Sequence, residues 1–434
     1  MHLFLIGAGP VGLVTAVGFA RLGHRVTVCD IDLARVATLA AGRSPIFEPG
    51  LEEAIRSESA AGRLDFTTDL VPPAATTFSI VCVGTPIDGD GPLSTVYVEQ
   101  VVEGLLAAAP PGHVIVVRST LPVEGPDRLA RLVDERRASG PCATVVTNPE
   151  FMREGSGLRD FDVPSRVVTG WLRAEEREAA QAVADLYAPL NAPTLVADAR
   201  SVALVKLASN VFLATKISFA NELARICDAI GADVDLVTAG IGMDDRIGPA
   251  FLGAGPGIGG SCLPEQAVAL PLLSSRLGVA TPLIDSVSRS NRSHQRAVIA
   301  RLAVLLGRPL GGLRVALLGL AFKAGTDDVR ESPALALARD LRAAGAVVVA
   351  FDPQAMETAQ RADPLLEVAA DPARAAWGAA AVVVATEWPE FGALDWAQVR
   401  AAMLGDLVYD TRNVVDRAAV RAAGLRLELL GRRA

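Results

Sequence analysis

Histidine and cysteine are scarce in this 434-residue chain, which has four of the first and five of the second. The histidines (His2, His24, His113, His294) are scattered and form no ligand pair, so no structural metal is expected. The cysteines show no CxxC pairing and no regular spacing, which argues against a disulfide framework and for a reducing compartment. An excess of positive charge is also missing. The net charge is −8, which disfavours a nucleic-acid surface and means that an anionic ligand must be met by a few local basic groups. No uninterrupted apolar run reaches the roughly 18 residues of a membrane span. The apolar start MHLFLIG has no basic first segment and is broken at once by glycines, unlike a signal peptide. The expectation is a cytoplasmic protein with no metal, nucleic-acid or membrane partner.

What the chain does have is apolar residues, 51% of the total, and enough length for two or three cores. Residues 2–6 form a short apolar run, Gly7-Ala8-Gly9-Pro10-Val11-Gly12 follows, and a helical pattern (Val14, Val17, Gly18, Leu22) leads to a second strand, Val26 to Asp30. This is a βαβ unit carrying GxGxxG in the required context, with an acid 18 residues beyond the last glycine. Gly7, Gly9 and Gly12 allow a pyrophosphate to approach the helix N-terminus, where free N–H groups and the dipole favour anions. Asp30 accepts from the adenosine ribose hydroxyls and repels a 2′-phosphate, so the cofactor is expected to be NAD. Further strands are expected at Phe78–Val83, Val114–Arg118 and Thr144–Thr147. Each leads into a loop at the carboxyl edge of a parallel sheet: Gly84-Thr85-Pro86, Ser119-Thr120-Leu121-Pro122 and Asn148-Pro149-Glu150.

The pattern becomes helical from about Ser201 to Ile230, with apolar residues around much of the circumference, as in a helix buried between domains or subunits. Lys206 and Asn210 stand four apart and share a face of it. Four glycines in six residues then precede a thiol in Gly255-Pro256-Gly257-Ile258-Gly259-Gly260-Ser261-Cys262. Cys29, Cys82, Cys142 and Cys227 lie in or beside apolar strand-like or helical runs and read as packing residues. Cys262 lies in no periodic run and is followed by Pro264, which favours a loop turning into a helix; it is the candidate nucleophile. After about Leu310 a second α/β pattern begins, with strands at Leu313–Leu318, Val347–Phe351, Ala379–Ala385 and Leu407–Tyr409 and a helix at Ser332–Ala344. It lacks GxGxxG and should bind a different ligand. The fold class is α/β, two Rossmann-like doubly wound domains joined by a long central helix and a helical dimerisation domain, divided as 1–199, 200–305 and 306–434.

With GAGPVG, PIFEPGL, VGTP, RSTLPV, NPEFMREG, LVKLASNVFLATKISFANE, DDRIG, GPGIGGSCLP, GLAFKAGTDDVRESP and DTRN in order, the chain resembles the UDP-glucose/GDP-mannose dehydrogenase family over essentially its full length. The resemblance implies an NAD-dependent oxidation of a nucleotide-sugar C6 alcohol to a carboxylate in two hydride transfers. UDP-glucose to UDP-glucuronate, a polysaccharide precursor, is the nearest reading, and a homodimer through the central helices is implied. A thiol suits such chemistry, because it traps the aldehyde as a thiohemiacetal that oxidation turns into a thioester. Carried over residue by residue, the resemblance makes Cys262 the nucleophile, with Lys206 and Asn210 stabilising the C6 oxygen and Thr120 and Glu150 orienting or activating water. On the cofactor side it implies Gly7, Gly9, Val11, Gly12, Asp30, Arg35, Thr85, Thr120, Glu154 and Arg330. On the substrate side it implies Phe151, Lys206, Asn210, Arg246, Phe251, Gly259, Lys323 and Arg412, with Arg246 reaching from a neighbouring subunit.

The chain departs from the family where CxPKD is usual: Glu265 and Gln266 replace the lysine and the catalytic aspartate. Gln266 cannot take up a proton at neutral pH, and loss of general acid/base help typically costs about 10²–10⁴-fold in rate. Two alternatives to full oxidation therefore stand: a homologue with partial or redox-neutral chemistry on a nucleotide sugar, and a catalytically silent binding protein.

Overall fold

The structure, a computed structural model, describes residues 1–86 and 93–432. The chain divides into two compact units, Met1–Ser209 and Asn210–Ala434.

The N-terminal unit is built on eight strands: β1 (His2–Ile6), β2 (Arg25–Cys29), β3 (Leu64–Thr67), β4 (Thr76–Val81), β5 (Val114–Val117), β6 (Thr144–Thr147), β7 (Val167–Trp171) and β8 (Thr194–Asp198). Their order is β3-β2-β1-β4-β5-β6-β7-β8, parallel throughout except that β7 runs antiparallel to β6. Helices cover both faces, so the central strands read as continuous apolar runs rather than alternating ones. Along β1, Leu3 and Leu5 join one core with Val26 and Val28, while Phe4 and Ile6 join the core on the opposite face with Val81 and Val117. The helix Pro10–Arg21 follows β1 directly, with proline at its first position and Gly9 as N-cap.

The C-terminal unit carries β9 (Arg314–Leu318), β10 (Val347–Phe351), β11 (Glu367–Val368), β12 (Ala381–Val384), β13 (Leu407–Asp410) and β14 (Arg426–Leu429). Their order, β11-β10-β9-β12-β13-β14, all parallel, repeats the order of the first six strands of the N-terminal sheet. The same turn follows the first strand in both. Gly7 (φ 104°) and Gly319 (φ 101°) take a left-handed conformation that a side chain would strain, and each donates to the end of the second strand, Cys29 and Phe351, at 2.8 Å. The next amide, of Ala8 or Leu320, donates at 2.7 Å to an acid, Asp30 or Asp352. The two acids then differ. Asp352 is wholly buried and also accepts from the amides of Ala321, Gln354 and Ala355 and from the Trp388 indole nitrogen. It is a keystone of the second sheet.

The long helix runs Ala199–Ile230, two residues earlier than the sequence pattern places it. It is long and apolar enough to cross a bilayer by length and composition alone, a test that core helices of soluble folds also pass. One stripe of it, Leu204, Phe212, Phe219 and Ile226, is 43–66% exposed, so its apolar circumference is not buried on every side. The limits of β1, β6 and β10 coincide with the sequence pattern, and those of the other expected strands shift by one or two residues. Ala379–Ala385 contracts to β12, and Phe78–Val83 moves back to β4. Strands β3, β7, β8, β11 and β14 were not legible, and four of them are sheet edges whose mixed, half-exposed residues give no apolar run.

Candidate active site

In the N-terminal unit the cradle forms where β1 meets its helix. Gly9 caps the helix without a side-chain hydrogen bond, and a Cβ added there would meet nothing within 4 Å, so open space fronts the helix end. At Gly12 a Cβ would lie 1.9 Å from the Gly7 carbonyl oxygen, so only glycine allows the helix to abut the turn. Uncapped amides, open space and a close-packed glycine turn fit a pyrophosphate. Val11 is half-buried in the same turn. Asp30 accepts from the amides of Ala8 and Asp32 and from Arg35 at 3.0 Å. Burial pushes its carboxyl up, but these amides and the Arg35 guanidinium outweigh burial and hold it below the usual range. The ionised carboxylate is the acceptor a ribose diol requires. Thr85 and Thr120 are half-buried beyond β4 and β5, and the Ser119 hydroxyl donates to Val83 at 2.7 Å, tying the two loops together.

Beyond β6, Lys206 donates through Nζ to the Glu150 backbone oxygen at 2.6 Å and to Glu150 Oε1 at 2.9 Å; both side chains are buried. Desolvation raises the Glu150 carboxyl, but Lys206, then Arg118 and the Met152 amide, bring it down overall, so it is a stable carboxylate. Phe151 lies between two cations: the Arg166 guanidinium sits 3.8 Å and Lys206 Nζ 5.2 Å from its ring centre. The half-buried Glu154 is in the next turn, which Glu48 fixes by accepting from the amides of Gly155 (2.7 Å) and Gly157 (2.8 Å). The PIFEPGL segment thus has a structural reason, and Glu48 is a residue that sequence reasoning quoted without seeing its use. Arg118, read only as a strand end, is a buried hub that donates to Thr15, Asn148 and Tyr187. Asn210 lies one turn beyond Lys206, buried, with no partner for Nδ2 among the described residues.

In the C-terminal unit the glycine loop is clamped from several sides. Asn221 Oδ1 accepts from the Gly255 amide at 2.9 Å, the His294 ring contacts the Gly255 carbonyl at 2.7 Å, and Asn291 Oδ1 accepts from the Ile258 amide at 2.8 Å. These three were missed as loop holders; Asn221 lay in a quoted motif, but His294 and Asn291 carried no local signal. The loop delivers Cys262 as the first residue of the helix Cys262–Arg276, exposed, with Ser261 Oγ 3.7 Å from its sulfur. A helix N-terminus stabilises negative charge on that sulfur. Cys29, Cys82 and Cys227 are buried, and burial pushes the Cys29 thiol up to about 11. Gln266, one turn on, is 2% exposed, and its Oε1 has no partner among the described residues.

Arg412 is fixed at the carboxyl edge of the second sheet. It donates to the carbonyls of Ala385 and Phe322 at 3.0 Å each and pairs with Glu387, while the buried Asp410 carboxylate accepts from the amides of residues 412–415. A Cβ on Gly255 would meet Arg412 Nη1 at 2.9 Å, so Arg412 and the glycine loop are in contact. Lys323 Nζ lies 5.5 Å from the ring of Phe322, and Phe322 in turn packs against Gly259 and Gly260. Cys262, Gly259, Lys323 and Arg412 therefore belong to one connected set of loops, and Arg330 joins it through its carbonyl, which accepts from the Gly260 amide at 3.1 Å. Phe251 is half-buried with φ 62°. Arg246 stands in solvent, 89% exposed, paired with Asp244 at 2.6 Å.

The chain matches three consecutive parts of one family. These are the NAD binding domain over residues 1–191, the central domain over 200–293 and the UDP binding domain over 316–417. It is 40% identical to a UDP-glucose 6-dehydrogenase of Rhizobium meliloti (strain 1021), covering 100% of both chains. It is 37% identical to one of Bacillus subtilis (strain 168), covering 100% of this chain and 98% of the relative. Among solved structures, a UDP-glucose dehydrogenase from Pyrobaculum islandicum shares 40% identity with a TM-score of 0.89, covering 100% of this chain and 98% of that one. A UDP-D-ManNAc dehydrogenase from Pyrococcus horikoshii shares 26% identity with a TM-score of 0.85, covering 100% and 99%. Likeness of this extent, running unbroken through both sheets and the helices between them, makes the chain a member of the UDP-glucose/GDP-mannose dehydrogenase family.

Proposed function

We propose that this protein oxidises the C6 alcohol of UDP-glucose to the carboxylate of UDP-glucuronate with NAD. The observation that carries the reading is the exposed Cys262 thiol, set at a helix N-terminus by a glycine loop that contacts the anion-binding Arg412. Its neighbours accordingly read as an active-site turn rather than a core packing element.

The glycine turn after β1 holds the pyrophosphate of NAD, and Asp30, steadied by Arg35, takes the ribose hydroxyls; Val11, Thr85, Thr120, Glu154 and Arg330 complete that side. NAD, when bound, supplies the hydride acceptor for both oxidations. Lys206 and Asn210 stabilise negative charge on the C6 oxygen. The Cys262 sulfur adds to the C6 aldehyde carbon to give a thiohemiacetal, and the second oxidation leaves a thioester. Water, oriented by Thr120 and Glu150, displaces the thiolate. Lys323 and Arg412 meet the diphosphate. Phe151, Phe251 and Gly259 shape the sugar pocket, and Arg246 acts from a second copy of the chain.

The same reading includes a cytoplasmic homodimer and the three-part division 1–199, 200–305 and 306–434. The exposed stripe Leu204, Phe212, Phe219 and Ile226 supports a face shared between copies. Multi-angle light scattering checks this, with Phe212→Glu expected to give monomers. The activity is tested by NADH absorbance with UDP-glucose and NAD, and by mass spectrometry of the sugar. Two NADH per uronate, lost in Cys262→Ser, is the expected result; one NADH with an aldehyde, or a changed sugar with none, refutes the assignment.

A further inference from the structure

Glu265 and Gln266 stand three and four residues after Cys262 in the first turns of its helix, the spacing that brings side chains to one helical face. Gln266 is buried with no partner for Oε1 among the described residues, and a buried oxygen of that kind calls for a donor such as a water or a ligand hydroxyl. The same region faces the long helix. Ala214 and Ile217 pack in one cluster with Leu263 and Ala267, and Asn210, whose Nδ2 has no partner among the described residues, lies on that face one turn before Ala214. An amide can hold a water, but it cannot take its proton.

Glu265 can. It is half-buried on the side where the loop joins residues 328–333. There the Gly260 amide donates to Arg330 O, and a Cβ on Gly259 would meet Pro333 Cδ at 2.5 Å and Glu331 O at 2.9 Å. These contacts hold the segment against the cysteine loop, and Glu331 within it takes φ 46°. The charged groups facing Glu265 are Arg330, Glu331 and Asp328. Burial raises its carboxyl; Arg330 opposes the shift and the two acids add to it, leaving it at about 7. A carboxyl balanced near neutrality is suited to accepting and releasing protons in each turnover, whereas Glu150, held down by Lys206, is a weak base.

We propose that Glu265 is the proton acceptor when the acyl-Cys262 intermediate is hydrolysed, and that Gln266 Oε1 holds the attacking water through its other O–H. This rests on the function proposed above. The water oxygen bonds to the acyl carbon, one proton passes to Glu265, and the C–S bond breaks with its electron pair leaving on Cys262 as thiolate. No redox change occurs, and the product acid and Glu265 then release their protons to solvent.

The test is rapid mixing of enzyme, NAD and UDP-glucose. Glu265→Gln is expected to give a burst of about two NADH per active site, then a steady rate lower by about 10²–10⁴-fold. Intact-mass spectrometry should find the acyl sugar nucleotide on Cys262, and the limb of the kcat–pH profile near 7 should vanish. Glu265→Asp should turn over at an intermediate rate with a displaced limb, and it carries the test alone if Glu265→Gln does not fold. A Glu265→Gln enzyme within about threefold of wild type with an unchanged pH limb, or one that loses the burst itself, overturns the assignment. Wild-type protein that forms no NADH from UDP-glucose overturns the functional reading along with it.

Discussion

Replacing Lys206 by methionine tests how the buried ion pair beyond β6 contributes to the N-terminal unit. The substitution keeps the length of the side chain and its apolar packing, but leaves Glu150 ionised and buried, with the Met152 amide and the more distant Arg118 as its remaining support. Removing one partner of such a pair typically destabilises by about 3–5 kcal/mol. The unit spans Met1–Ser209, a size at which each kcal/mol moves the melting temperature by about 2–4 °C. The expected drop is therefore about 6–20 °C in the first transition of a calorimetric scan. Adding Glu150→Gln to Lys206→Met should recover much of it, because the stranded charge is gone. The pH dependence has a definite sign. The folded Glu150 is held below its unfolded value, so its contribution is full above the unfolded pKa, about 4.3, and is lost as pH falls through the folded one. Lys206→Met should flatten that acid limb. A single variant melting within about 2 °C of wild type, or single-variant losses that simply add in the double variant, would refute the reasoning.

Gly9→Ala should melt like wild type yet bind NAD more weakly by calorimetric titration, because its Cβ enters open space before the helix, whereas Gly12→Ala should lose stability as well, its Cβ striking the Gly7 carbonyl. Glu48→Ala removes the acceptor for two amides and should cost about 1–3 kcal/mol for each one left buried, measured by urea unfolding. His294 is depressed by burial to about 4 from an unfolded value near 6.5. The unfolded chain thus takes up a proton first, and stability should fall by about 3 kcal/mol as pH drops from about 6.5 to 4, with His294→Gln showing less of that slope in a pH series of melts.

The legibility of this chain follows the locality of its signals. β1, its glycine turn, the helix and Asp30 lie within one stretch of sequence and share a single purpose, so the cradle could be read directly. Cys262 could be singled out because its glycine loop breaks all periodicity. The clamps on that loop could not: Asn221, Asn291 and His294 come from two different helices, and each is polar on a helical surface in sequence and a loop anchor only after folding. Edge strands such as β3 and β8 were lost for a related reason, since a half-covered strand needs no apolar run. Glu150 is held down by Lys206, 56 residues away, and Glu265 is pushed up by burial and by the acids Glu331 and Asp328 against the opposing Arg330, and no local pattern encodes either outcome.

The sealing of Asp352 has a consequence for competition between ligands. The fold contains the same nucleotide-reading turn twice, and an open second copy would let dinucleotide contend with the sugar nucleotide for the C-terminal sheet. A rise in cofactor would then inhibit the enzyme it serves. The indole nitrogen of Trp388 and four backbone amides occupy the oxygens a ribose would need. The second copy of the turn therefore has no carboxylate left to read a ribose as Asp30 would, which on the function proposed above keeps the two nucleotides to separate addresses on a repeated scaffold.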